Sequence, residues 1–102
     1  MEFTVLERLL LLNLLPQVGS IITLRVVQQL RAELSFSEDE IARMSLQEVG
    51  ANITWNQDAE EPKLVEVGDT AKTIIAKRLR DLDESEQLQP QHLSLWEQFC
   101  GE

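Results

Sequence analysis

Residues 5–15 read Val-Leu-Glu-Arg-Leu-Leu-Leu-Leu-Asn-Leu-Leu, and Pro16 comes next. At 100° per residue this run is apolar on almost every side and leaves only a narrow sector, Glu7 and Arg8, polar. Such a helix has to be covered, either by the rest of its own chain or by another subunit. Thr4 followed three positions later by Glu7 is a capping-box pattern, so the helix is predicted to start there and to stop before the proline. Asn13 falls angularly between Leu6 and Leu9 and is expected to be a satisfied buried amide.

The other segments read as material to cover that helix. Residues 19–23 are short, β-branched and bounded by turn residues, suiting a brief extended segment or a ragged helix start. From Thr23 the pattern turns helical, with Val26, Val27, Leu30 and Leu34 on one face. Ser37 with Glu40 repeats the capping-box pattern for a short third helix carrying Ile41 and Met44. Gly50-Ala51-Asn52 then separates Gln47-Glu48-Val49 from Ile53-Thr54-Trp55, which predicts a β-hairpin. Residues 63–67 alternate and are expected to add a third strand, because a lone hairpin is marginal in water. A fourth helix opens at Gly68-Asp69, buries Ala71, Ile74, Ile75, Leu79 and Leu82, and ends in acids that oppose its dipole. Gln89-Pro90 starts a fifth, packed through Leu93, Trp96 and Phe99, with Leu88 stapled to Leu93. The fold class predicted is α+β and mainly helical: about five helices with a small antiparallel hairpin or three-stranded sheet. The 102 residues fit one domain with a single core.

Charge narrows the function. The chain has 18 acids against 9 bases, net -9, and both halves are acidic: residues 1–51 hold 4 bases and 7 acids, residues 52–102 hold 5 and 11. Nucleic-acid affinity rests on neutralising phosphates with Lys and Arg, so this balance argues against a general DNA or RNA binder and against docking on an anionic membrane. An acidic surface can also imitate a phosphate backbone, although solubility is the simpler reason for it. Residues 9–24, the longest uncharged run, are too short and too interrupted for a membrane span, and the acids around the leucines do not fit a secretory leader. Cys100 is the only cysteine, so no intrachain disulfide and no cysteine zinc cluster can form.

Helix, extended segment, helix, turn, helix and hairpin is the order of a winged helix in the N-terminal half. Its recognition helix would begin Glu38-Asp39-Glu40, and its wing has no Lys or Arg. DNA contacts on that alternative fall to Arg25, Arg31, Lys72, Lys77 and Arg80. Arg78 is placed in the middle of the fourth helix's apolar face, where it either snorkels or makes an ion pair across an interface. His92 and Cys100 stand eight residues apart on one helix, roughly 12 Å, too far for a Cys-His pair. No catalytic, metal-ligating or cofactor-binding spacing occurs, and a non-enzyme without cofactor or metal is expected.

Thr4-Val-Leu-Glu-Arg-Leu-Leu-Leu-Leu-Asn-Leu-Leu-Pro, Leu34-Ser-Phe-Ser-Glu, Trp55-Asn, Val65-Glu-Val-Gly and His92-Leu-Ser-Leu-Trp-Glu-Gln-Phe resemble a group of short acidic proteins encoded by tailed bacteriophages and prophages. The likeness spans nearly the whole chain and rests on core and capping residues. It implies a small accessory protein in the bacterial cytoplasm and carries no residue-level activity. The expected function is therefore protein-protein interaction, as a homodimer or on a host or phage protein, with Leu10, Leu11, Arg78 and Trp96 as candidate interface residues. A winged-helix nucleic-acid binder is the alternative.

Overall fold

The computed structural model describes residues 1–101. Strand β1 (Glu2–Phe3) leads into α1 (Val5–Leu14), α2 (Ile21–Leu34) and α3 (Glu38–Met44), followed by the hairpin β2 (Gln47–Val49) and β3 (Asn52–Thr54). A 3-10 turn at Gln57–Ala59, strand β4 (Lys63–Leu64), α4 (Asp69–Glu84), a second 3-10 turn at Pro90–His92 and α5 (Leu93–Cys100) complete it. The protein is thus α+β and mainly helical, with five helices and two separate two-stranded antiparallel sheets among the described residues. No helix among those residues is long and apolar enough to cross a membrane.

Local chemistry sets the helix ends. The Thr4 hydroxyl accepts the Glu7 N–H at 3.2 Å and the Glu7 carboxylate accepts the Thr4 N–H at 2.9 Å. Ser37 and Glu40 repeat this pair at 3.1 Å in each direction. The second helix starts at Ile21, two residues before its predicted start, because Ser20 accepts the Thr23 N–H at 3.2 Å and supplies a cap. No extended segment lies between α1 and α2. Gly19 leaves room there for Thr23, whose Cγ2 would stand 3.1 Å from a Cβ at that position.

The expected hairpin forms, but with a two-residue turn: Asn52 pairs with Val49 and Ile53 with Glu48, and Trp55 lies beyond the strand. Gly50 takes φ +62° at the first turn position, as a type II′ turn demands. The third strand does not join it. Lys63–Leu64 pairs instead with Glu2–Phe3, because Phe3 is a fully buried anchor and the Val65 N–H donates to the Met1 carbonyl at 2.8 Å. Three helices and a hairpin therefore keep the winged-helix order, while both strands expected to complete that sheet are absent from it.

The core joins Phe3, Leu11, Leu14, Leu15, Val27, Leu30, Leu34, Val65, Val67, Ala71, Ile75, Leu79 and Leu95. Helix α4 packs on α1, α2 and α5, so it shares the centre with α1. The fifth helix is turned from its predicted setting: Leu95 is fully buried and Leu93 is 62% exposed, so Leu93 neither packs inward nor staples Leu88. The 3-10 turn at Pro90–His92 is held by the Gln89 N–H on His92 Nδ1 at 2.9 Å, and α5 begins only at Leu93, with Leu95 in place of Leu93 joining Trp96 and Phe99 on the covered side. Trp96 and Phe99 are half-buried against the core, and the Phe99 ring stacks on Phe3 with centroids 6.0 Å apart.

Helix α4 closes in a Schellman motif despite its acidic end, with Gln87 N–H on Leu82 O at 2.8 Å and Glu86 N–H on Asp83 O at 3.1 Å. Glu86 holds the left-handed position, φ +57°, which glycine occupies without a Cβ penalty. Glu86→Gly is expected to raise unfolding free energy by about 1 kcal/mol in urea melts, also removing one acid from the negative end of the helix dipole.

Candidate interaction surface

The polar sector of α1 faces inward. Arg8 is 0% exposed, and its guanidinium closes the end of α2: Nε donates to Leu34 O at 3.1 Å and Nη2 to Ser35 O at 2.8 Å. Nη1 and Nη2 reach the Glu40 carboxylate at 2.6 and 3.3 Å, and the group lies 3.9 Å over the Phe36 ring. The last carbonyls of a helix have no internal partner and carry the negative end of its dipole, so a buried cation is at home there. The Arg8 hydrogen bond holds the Glu40 carboxyl well below the usual carboxylate range, at about 2. Glu7 is buried as well, accepting Ser94 Oγ at 2.9 Å and Gln98 Nε2 at 2.7 Å from α5. Both capping-box acids thus tie distant elements together. These groups leave no side chain of the bracket unsatisfied, and their role is structural.

With Glu7 and Arg8 inside, the opposite side of α1 is outside. Leu6 and Asn13 are exposed, which corrects the expectation of a buried Asn13 amide. Of the candidate interface residues, Leu11 is fully buried in the core and cannot form a surface contact, while Leu10 and Trp96 are half-buried beside it. Arg78 is half-buried and engaged within its own chain. Its Nε donates to Leu14 O at 2.9 Å, capping the C-terminal end of α1, with Asp81 3.9 Å away.

Three exposed apolar side chains lie close together in sequence where the chain passes from α1 into α2. Val18 is 82% exposed, Ile21 65% and Ile22 68%. In α2 the core face is Val27, Leu30 and Leu34, and the helical period puts Ile21, Ile22, Arg25 and Gln29 on the opposite side. Val18 also borders a groove of about 450 Å³, lined with it by Pro16, Thr23, Ile74, Lys77 and Arg78 but not by Ile21 or Ile22. Asp81 also lines it, so its rim carries both signs of charge. Sequence reading missed the ridge as a surface. Its signal was present: three apolar side chains at a serine-capped helix start, outside the Val27 to Leu34 stripe.

The bases singled out for nucleic-acid contacts fall on two helices, neither of them the third. Arg25 and Arg31 lie on α2 and Lys72, Lys77 and Arg80 on α4, and among the described residues none forms an ion pair. Helix α3, which would read a groove, lies beyond the far end of α2 and packs on the 57–59 turn. Its one base, Arg43, is held by Asp39 at 3.0 Å and Glu61 at 3.3 Å. His92 and Cys100 are engaged separately, by the Gln89 N–H and by Ala76 O. No three His, Cys, Asp or Glu side chains among the described residues gather around a common metal position. Comparison with protein-family models, with curated proteins and with solved structures finds no match to this chain.

Proposed function

We propose that this chain is a non-enzymatic interaction protein, a phage or prophage accessory protein of the bacterial cytoplasm, which docks through the ridge at residues 18–22. The partner is a second copy of itself, or a phage or host protein that offers the same kind of surface. The observation that carries this reading is the ridge: three branched apolar side chains within five residues, each about two-thirds exposed or more. Single apolar residues are ordinary on a protein surface, but three grouped within five positions of the chain, one of them bordering a groove, favour docking. Fully burying one such side chain is worth roughly 1.5–3 kcal/mol, so the three together support an association in water. The mixed rim suits a two-fold contact, in which Lys77 of one copy can oppose Asp81 of the other.

Ile22→Asp tests it. The side chain is outside the core, so thermal stability is expected to stay within about 0.5 kcal/mol of the parent while self-association weakens at least about tenfold. Light scattering over a concentration series reads both states. An unchanged association constant in a folded Ile22→Asp protein would remove the ridge from the interface.

A further inference from the structure

A second surface has different chemistry. All six residues of the hairpin strands are exposed, and no third strand among the described residues flanks them. Two strands with neither face covered are marginal in water, and a third strand is what usually stabilises them. Val49 and Asn52 flank the two-residue turn and form its hydrogen-bonded pair. The alternation of an antiparallel ladder then makes Glu48 and Ile53 the pair whose main-chain N–H and C=O point away from each other, toward the free edges. On β2 that edge is centred on a charge, Glu48. On β3 it reads Asn52-Ile53-Thr54, with no charge, no proline and no bulge, and thus none of the devices that protect an edge from pairing.

The surroundings select the partner's charge. Residues 38–61 hold seven acids and one base, and that base, Arg43, is already taken by Asp39 and Glu61. Exposed Glu38, Glu48 and Asp58 have no ion-pair partner among the described residues. A second copy of the hairpin would bring like charge to like.

We infer that the β3 edge takes an extended segment of a basic protein partner as a third strand. Main-chain hydrogen bonds to the Ile53 N–H and C=O hold it, and its Lys or Arg side chains meet the acids around the hairpin. This contact lies at the end of α2 remote from residues 18–22 and does not depend on the ridge.

The test uses the full chain labelled with ¹⁵N and a short capped peptide of alternating Val and Thr between terminal lysines. Binding is expected to shift the amide resonances of residues 52–54 saturably and to slow exchange of the Ile53 amide at least about tenfold. The same peptide with terminal glutamates is expected to bind at least about tenfold more weakly. Ile53→Pro removes only an outward N–H, leaves the internal ladder intact and is expected to abolish the response. Ile53→Thr keeps the N–H and is expected to retain it. Equal binding of the two peptides, shifts confined to residues 18–22, or an undiminished response in Ile53→Pro with its hairpin resonances unmoved would each overturn the inference.

Discussion

Arg8→Met is expected to lower unfolding free energy by about 3–5 kcal/mol, the largest single-site loss in the molecule. The methionine fills much of the same space, so the loss is electrostatic. Leu34 O and Ser35 O lose their donor, and Glu40 keeps its charge without the cation that offsets it. Urea melts of the parent, Arg8→Met, and the double variant Arg8→Met with Glu40→Gln measure it. The double variant is expected to recover part of the loss, since glutamine still accepts the Ser37 N–H and leaves no uncompensated charge on the half-buried side chain. Acid separates the charge effect from packing. The Glu40 carboxyl lies near 2 when folded, below its ordinary 4.5, so its contribution is fully present above pH 4.5 and is lost as pH falls toward 2. The gap between parent and Arg8→Met should therefore narrow over that window. A constant gap from pH 6 to 2 would show that the bracket holds by shape alone.

The second large effect lies on α5 and has a built-in control. Leu95→Ala is expected to cost about 2–5 kcal/mol, since the side chain is wholly enclosed by the core and its removal leaves a cavity. Leu93→Ala, two residues earlier, is expected to change stability by under about 0.5 kcal/mol because that side chain is mostly in water. Equal costs at the two positions would mean that α5 is rotated from the setting described.

Those two positions also show what a sequence can reveal. Helix starts were legible where a full capping box is present: Thr4 with Glu7 and Ser37 with Glu40 were both readable as short-range patterns, while the lone Ser20 cap of α2 was missed. The hairpin was readable for the same reason, since its turn chemistry is local. Long-range pairing was not. Nothing within residues 63–67 says that their partner is β1 and not the hairpin, a choice made by the burial of Phe3. Leu93 was misplaced because, at 100° per residue, Leu93 and Leu95 flank the Trp96–Phe99 arc on opposite sides, so spacing alone does not choose between them.

The orientation of α1 was hidden for a deeper reason. A helix with leucine on nearly every side has no unique inward face by hydrophobicity, so the polar residues decide its setting. Arg8 faces inward because the end of α2 and the Glu40 carboxylate together provide acceptors for its donors. That site is assembled from residues 34, 35 and 40, which no local pattern links to residue 8. The outward turn of Leu6 and Asn13 is a consequence, as is the loss of Leu11 from the candidate interface. The ridge at residues 18–22 escaped notice because a β-branched run after a glycine reads equally well as a strand, and a strand would have buried it.

Sedimentation equilibrium of the native protein over a wide concentration range tests the central claim most directly. The chain mass is 11.7 kDa, and the expected result is an average mass rising with concentration toward twice that value. Ile22→Asp should move that rise to higher concentration. A mass of 11.7 kDa at every concentration would contradict self-association through the ridge and leave a different protein as the partner it must meet.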